Sequence, residues 1–202
     1  DGTEEGDIID FGTASCQTEA TAPAGSSIST NSDNLFCTAG CLINTDSCEY
    51  ELTQCNNTVA SIPDWDWPTT YVDSTITVTQ TGTVTDVDAD LVVTHTYVGD
   101  LEMFMDWGTY LADQSNTVNL GSDLCSVSDN VNATFTDEAS ITAGVSCGSN
   151  PGISGDVRPV ESLTKFDGRA TNVVWHMVVG DDGIGDQGQV ESWCLTLTYT
   201  TP

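Results

Sequence analysis

Apolar and polar residues alternate along most of the second half of the chain. The pattern is clearest near the end, where two alternating runs flank a Gly/Asp-rich segment at residues 180–188. A period of two is typical of strands with one buried face. Two strands joined by a loop are therefore predicted here. The buried positions of the two runs are Val173, Trp175, Met177 and Val179, then Trp193, Leu195, Leu197 and Tyr199.

The same alternation occurs upstream, at residues 71–85 and 87–98, and glycines recur as turn signals between these runs. No segment has the period of an amphipathic helix. Many short strands separated by frequent turns indicate an all-β sandwich. Residues 1–62 lack sustained periodicity, so a mostly irregular N-terminal segment is expected.

Four motifs in the second half of the chain occur in an order that is typical of one family. They are Gly99-Asp100-Leu101 within a strand pattern at 94–105, Phe135-Thr-Asp137-Glu138-Ala139, Leu163-Thr-Lys-Phe166-Asp-Gly168, and Asp186-Gln-Gly188 followed by Trp193-x-Leu195. In this order they resemble the P domain (P/Homo B domain) that follows the catalytic domain of kexin- and furin-like subtilisin-type proteases. The resemblance implies a non-catalytic β-sandwich of jelly-roll type, which in the family stabilises or assists an attached protease.

The resemblance extends over residues 75–200, and this span sets the expected domain boundaries. We predict an acidic, cysteine-rich extension at residues 1–62, a Trp/Pro connector at 63–74 and a P-domain-like sandwich at 75–202. Short fragments of the extension also resemble cysteine-rich repeats of secreted myxobacterial proteins. The sequence departs from the family where Ser-Pro-x-Gly-Thr is replaced by Asp106-Trp107-Gly108-Thr109, which removes a proline.

The charge balance restricts the possible partners. The chain has three Lys or Arg residues against 31 Asp or Glu, for a formal net charge of −28. Such a polyanion repels nucleic acid and anionic membranes, and no apolar run is long enough to span a bilayer. We therefore expect no nucleic-acid partner and no membrane insertion. Because the chain also repels itself, salt or bound cations are expected to stabilise it.

Eight cysteines in a chain with two histidines indicate disulfides formed in an oxidising compartment, and the spacing does not match a zinc site. We expect a mature, secreted protein at the cell surface or outside the cell. Cys125 and Cys147 flank the Phe135 motif of the P-domain-like region and are its natural pair. Cys194 then pairs with an N-terminal cysteine or with another molecule. The N-terminal candidates are Cys16, Cys37, Cys41, Cys48 and Cys55.

An enzymatic function is not expected. The two histidines, His95 and His176, both lie within strand-like alternation. No serine or cysteine near them resembles a nucleophile elbow or a protease triad. Packing or hydrogen bonding is the expected role of His95.

Cation binding is the better-motivated chemistry, because Ca²⁺ takes six to eight oxygen ligands and Asp/Gly-rich loops supply them. The competing interpretation is that these carboxylates cap turns or face solvent. The run Asp86-Val-Asp88-Ala-Asp90 is interpreted as one charged face of a strand. The candidate Ca²⁺ ligands are Asp100 with Glu102, Asp137 with Glu138, and Asp181, Asp182 and Asp186.

These observations favour a Ca²⁺-stabilised structural or interaction protein. One hypothesis is self-assembly into an extracellular filament or surface layer, in which the N-terminal segment adds a strand to the sheet edge of the next copy. The alternative is an accessory module that binds a protease or a surface glycan. In that case Trp65, Trp67 and Trp107 would form the binding platform.

Overall fold

The computed structural model describes residues 22–28, 36–37, 43–44, 48–108, 114–145 and 147–201. The N-terminal segment assigned to self-assembly lies outside the described residues, as do Cys16 and Cys41. No α-helix occurs in the described ranges; short 3₁₀ turns span Val98–Asp100, Gln114–Asn116 and Leu163–Phe166. The strands are β1 (Ser27–Ile28), β2 (Phe36–Cys37), β3 (Ile43–Asn44), β4 (Glu49–Asn56), β5 (Ala60–Ile62), β6 (Val72–Thr77), β7 (Thr83–His95), β8 (Leu101–Trp107), β9 (Thr117–Ser122), β10 (Val131–Phe135), β11 (Ile153–Val157), β12 (Val174–Asp181) and β13 (Gly188–Thr200).

Two sheets form the body of the protein, which confirms the predicted all-β, jelly-roll-type sandwich. The larger sheet has the order β1-β4-β13-β7-β10-β11. Strand β5 also belongs to this sheet and pairs with the first three residues of β13. The smaller sheet has the order β6-β12-β8-β9, and β2 pairs with β3 in a separate ribbon. Neighbouring strands are antiparallel except for β10 and β11. The two runs recognised first, at β12 and β13, therefore belong to opposite sheets.

One core fills the space between the sheets, and it follows the alternation in the sequence. On β7, for example, Val87, Ala89, Leu91 and Val93 are buried, whereas the aspartates between them lie on the outer face. The core also includes residues outside the strands. The ring of Phe166, in the 3₁₀ turn at Leu163–Phe166, packs edge-on against Trp175 of β12, with centroids 5.2 Å apart. On β7 the alternating pattern thus divides the residues between the core and the outer face.

The larger sheet extends further toward the N-terminus than the boundary at residue 75 that was expected from sequence. Strand β4 pairs with β13 over eight residues, from Glu49 opposite Thr200 to Asn56 opposite Trp193. Tyr50 and Leu52 of β4 are buried in the common core. Residues 48–62 are therefore part of the sandwich and not of an irregular extension. Strand β6 likewise begins at Val72, inside the expected connector.

Two disulfides join described residues. Cys125 is bonded to Cys147, as predicted from their positions on either side of the Phe135 motif. Cys55 is bonded to Cys194, so the partner of Cys194 is an N-terminal cysteine of the same chain. These two residues lie opposite each other on the paired strands β4 and β13.

The strand expected over residues 94–105 is interrupted, which corrects that prediction. Strand β7 ends at His95, a 3₁₀ turn follows at Val98–Asp100, and β8 begins at Leu101 in the opposite sheet. Gly99 fits this turn because a Cβ atom there would lie 2.7 Å from the Cα of Ser126. The family motif therefore marks the point where the chain crosses between sheets.

Candidate functional site

Three carboxylates from separate parts of the chain converge at one end of the smaller sheet. They are Glu102 on β8, Asp123 after β9 and Asp182 after β12, which we call the end cluster. One carboxylate oxygen of each lies within 4.8 Å of one from each of the others. The strand register explains the meeting, because Glu102 lies opposite Ser122 on β9 and opposite Gly180 on β12. Asp123 and Asp182 follow these two residues closely in the chain.

The end cluster is electrostatically unfavourable without a cation. Burial raises the pKa of the Glu102 carboxyl, and the negative charges of Asp123 and Asp182 raise it further. The Ser122 hydroxyl opposes this shift by donating a 2.6 Å hydrogen bond to Oε2 of Glu102. Burial also raises the pKa of Asp182, followed by the charges of Asp123 and Asp181. A bound divalent cation would reverse these shifts by stabilising the ionised carboxylates.

Two of the predicted ligands, Asp181 and Asp186, are engaged next to the end cluster. Asp181 is buried, and its Oδ2 lies 3.1 Å from Nε2 of His95. Its Oδ1 accepts a hydrogen bond from the backbone N–H of Gly183. Asp186 accepts a hydrogen bond from the hydroxyl of Thr96. These contacts fasten the 181–187 loop to the last residues of β7 and its following turn.

Asp100 lies close to this loop but outside the end cluster. Its backbone carbonyl accepts a hydrogen bond from the N–H of Asp182, 3.0 Å away. Burial raises the pKa of Asp100, and the charges of Asp181, Asp186 and Asp182 add to the shift. Asp100 therefore increases the concentration of negative charge at this end of the sandwich.

A second group of carboxylates lies on the outer face of the larger sheet. Asp86 and Asp88 of β7 and Glu138, which follows β10, form what we call the sheet cluster, again with oxygens within 4.8 Å of one another. Burial raises the pKa of Asp86 to about 6, followed by the charges of Asp88 and Glu138. Burial likewise raises the pKa of Asp88. The sheet cluster lines a groove of about 420 Å³, whose other residues include Glu51, Asp156, Thr196 and Thr198.

The predicted pair Asp137 and Glu138 is divided between two roles. Glu138 belongs to the sheet cluster. Asp137 instead accepts hydrogen bonds from the hydroxyl of Ser162 and the N–H of Thr164, at 2.7 and 3.0 Å. It thus holds the start of the 3₁₀ turn at Leu163–Phe166. The other two members of the sheet cluster, Asp86 and Asp88, were predicted from the sequence to form a charged strand face and not a ligand group.

The three tryptophans proposed as a platform occupy three different environments. Trp67 stacks on Phe104 of the smaller sheet, with ring centroids 5.4 Å apart and planes 8° from parallel. Trp107 donates its indole N–H to the Ala170 carbonyl and lies under the guanidinium of Arg169. Trp65 is 61% exposed. A single platform of all three is not formed, and Trp65 alone presents most of its surface to solvent.

Comparisons with known proteins identify no family. No family model matches the chain, and no curated protein matches its sequence. Similar solved structures include the complex of the Aeromonas sobria serine protease ASP and the chaperone ORF2, at 15% identity and a TM-score of 0.49, with 76% of this chain and 27% of that chain covered. They also include the A. sobria serine protease, at 15% identity and a TM-score of 0.46, with 75% and 27% covered.

This chain therefore spans about a quarter of the length of those structures, and at this level of similarity neither one indicates its function. In the described part of the chain, no helix is long and apolar enough to cross a membrane.

Proposed function

We propose that this chain is a non-catalytic, extracellular interaction module whose sandwich is stabilised by Ca²⁺. The observation that carries the proposal is the end cluster, where register brings Glu102, Asp123 and Asp182 together. Carboxylate oxygens are the ligands that Ca²⁺ prefers, and backbone carbonyls and water complete its coordination. Burial raises the pKa of Glu102 and of Asp182, and the charges of neighbouring carboxylates raise both further, so the ionised cluster is costly without a cation.

The basic side chains of the protein do not neutralise either cluster. Arg158 donates to the carbonyls of Ala139 and Ser140. Lys165 contacts the Thr117 carbonyl and lies 3.7 Å from Glu161, and Arg169 lies over Trp107. These three are the whole complement of Lys and Arg in the sequence. A cation from solution is therefore the natural source of positive charge for the clusters.

An extracellular location fits the two disulfides, which persist in oxidising compartments. A non-catalytic role fits the surroundings of the two histidines. His95 bonds to Asp181 and to the Tyr97 carbonyl, and His176 bonds to Asp73 and to the Gly108 carbonyl. In this proposal both imidazole rings have a structural role, because their nitrogens bond to groups of the protein itself.

Calcium titration tests the proposal directly. Calorimetry in a low-salt buffer is expected to show Ca²⁺ binding, and thermal unfolding is expected to shift upward with Ca²⁺ and back after chelation. At a Ca²⁺ concentration of about 100 times Kd, the free energy of unfolding should rise by about 2.7 kcal/mol. The variant Asp182→Asn should lose most of this gain. Asp129→Asn removes the same charge outside both clusters and should retain it.

Two results would contradict the Ca²⁺ proposal. One is an unfolding temperature that does not respond to Ca²⁺ in the unsubstituted protein. The other is an equal loss of the response in Asp182→Asn and Asp129→Asn, which would indicate a general charge effect and not a site.

Self-assembly is the second candidate role, and the edge of the smaller sheet favours it. Among the described strands, β6 pairs with β12 and with no other. The Asn56 amide donates to the carbonyl of Thr75 on this strand. An edge strand of this kind can accept a strand from another chain, and head-to-tail addition produces a filament. Electron microscopy with and without a chelator tests this role: regular fibres that fray after chelation are expected, and single particles in both samples would contradict it.

A further inference from the structure

A polar groove of about 500 Å³ lies on the outer face of the larger sheet, away from the sheet cluster. Its floor is a row across three strands, because Gln189 of β13 lies opposite both Ser61 of β5 and Thr94 of β7. Asp64 and Gln187 complete its polar lining. This volume lies within the range of small-molecule sites in proteins.

Hydrogen bonds hold the lining of this groove in place. Glu191 accepts hydrogen bonds from the Thr94 hydroxyl at 3.0 Å and from the Gln189 amide at 2.7 Å. Asp64 accepts one from the N–H of Gly185, also at 3.0 Å. A ligand that binds here would therefore meet polar groups that are already oriented, which lowers the entropy cost of binding.

Two large exposed apolar side chains lie in the two loops that meet where Gly185 donates to Asp64, a residue of the groove lining. Trp65, which follows Asp64, is 61% exposed, and Ile184, which precedes Gly185, is 74% exposed. Trp65 also has a φ of 52°, a left-handed conformation that is costly for a bulky residue and is often found at functional sites. The bond between Asp64 and Gly185 keeps these two loops together.

The chemistry of the groove selects among possible ligands. No Lys or Arg lines it, and the net charge of −28 repels anions. Among the described residues that line it, Asp64 is the single carboxylate, and hydroxyl and amide groups make up the rest of the polar lining. Such groups match a ligand with many neutral donors and acceptors. An exposed indole matches a ligand that also has an apolar face. Neutral sugars combine both properties, because their hydroxyls surround a ring whose C–H face packs on aromatic rings.

We propose that this groove, together with Trp65, binds a neutral saccharide. The inference rests on the proposed interaction role and specifies the partner as a neutral surface glycan. In this arrangement the sugar ring packs on the indole of Trp65, and its hydroxyls bond to Asp64, Gln187 and Gln189.

The test uses the full chain with Ca²⁺ and two sets of probes. The neutral set is gluco-, manno-, xylo- and chito-oligosaccharides, and the anionic set is heparin and polygalacturonate. Affinity is measured by calorimetry after a first screen on immobilised glycans. We expect binding to at least one neutral oligosaccharide and to neither anionic polymer. Trp65→Ala should weaken that binding about tenfold, the effect expected for losing an aromatic contact, and Gln189→Ala should also weaken it.

Two control variants separate recognition from a general loss of structure. Trp65→Phe keeps an aromatic face and should retain much of the affinity. Val127→Ala shortens another exposed apolar side chain, which is 76% exposed, and should retain all of it. The inference is overturned if no neutral saccharide binds, if only the anionic polymers bind, or if Trp65→Ala and Gln189→Ala bind as well as the unsubstituted protein. A Ca²⁺ response that persists without saccharide binding would overturn this inference alone.

Discussion

The indole nitrogen of Trp193 donates a hydrogen bond to the hydroxyl of Ser74 across the sandwich, with an N···O distance of 3.0 Å. Trp193 belongs to the larger sheet and Ser74 to the smaller one, and both are buried. The bond is thus a polar contact between the inner faces of the two sheets, as is the pair of His95 and Asp181. Because both Trp193 and Ser74 are buried, the indole donor depends on Ser74.

Replacing Ser74 by Ala should destabilise the protein by about 1–3 kcal/mol, because it leaves the buried N–H of Trp193 without a partner. Denaturant unfolding measures the change. Thr53→Ala is the matched control, since it removes a hydroxyl that bonds to Thr196 at the exposed surface and should cost less than about 0.5 kcal/mol. Equal effects of the two substitutions would contradict the role given to Ser74.

Replacing Asp181 by Ala should cost about 2–3 kcal/mol, because it removes the partners of both the buried His95 ring and the Gly183 N–H. The loss should appear in denaturant unfolding and in faster hydrogen exchange of the 181–187 loop. Asp73→Ala removes the carboxylate beside His176, a pair that is partly exposed, and should cost less than about 1 kcal/mol. A larger loss in Asp73→Ala would reverse the assigned importance of the two pairs.

The raised pKa of Asp86 predicts a dependence of stability on pH. The carboxyl titrates at about 6 in the folded protein, against about 3.9 in an unfolded chain. Between these values the folded state binds more protons, so the free energy of unfolding falls as pH rises from about 4 to about 6. Because Asp86 is only half-buried, screening reduces the cost at neutral pH to about 1 kcal/mol.

Asp86→Asn should therefore stabilise the protein by about 1 kcal/mol at neutral pH in the presence of a chelator, and should have no stabilising effect near pH 4. Unfolding curves across this pH range provide the measurement. If Ca²⁺ binds the sheet cluster, the advantage of the variant at neutral pH should disappear when Ca²⁺ is added. A stabilisation that does not change with pH would refute the assignment.

The two disulfides between described cysteines should contribute unequally to stability. Cys55 and Cys194 are 139 residues apart, whereas Cys125 and Cys147 are 22 apart. A cross-link restricts the unfolded chain more when it closes a longer loop. Replacing both Cys55 and Cys194 by Ala should lower the free energy of unfolding by about 5 kcal/mol, and replacing both Cys125 and Cys147 should lower it by about 3 kcal/mol. Denaturant unfolding of the two double variants measures both losses. A larger loss for the Cys125–Cys147 pair would contradict the chain-entropy account.

Much of the sandwich could be predicted from the sequence because alternation specifies the buried face of each strand. The strands β7 and β13 follow this rule along most of their length, whereas β12 follows it only as far as Met177, after which all of its residues are buried. Strand β4 was missed because its inward pattern ends after Tyr50 and Leu52. Its remaining residues are held in the sheet by pairing with β13, a partner far away in sequence.

The end cluster could be predicted only in part. Glu102 and Asp182 each have another carboxylate close in sequence, Asp100 and Asp181, whereas Asp123 follows Gly121 but has no other carboxylate near it. Asp123 joins them because β9 pairs with β8 and places Ser122 opposite Glu102. Strand register is a property of the folded sheet. A cluster assembled by register leaves little signal in the local sequence around each member.

Strand β13 is a central strand of the larger sheet, and its partner β4 precedes it by about 140 residues. When β4 leaves the ribosome, the strand that will satisfy its backbone groups has not been synthesised. The larger sheet therefore cannot close until nearly all of the described chain is present. Contacts this distant make folding slow. The order of synthesis thus makes β13, the last strand, the one that completes the larger sheet.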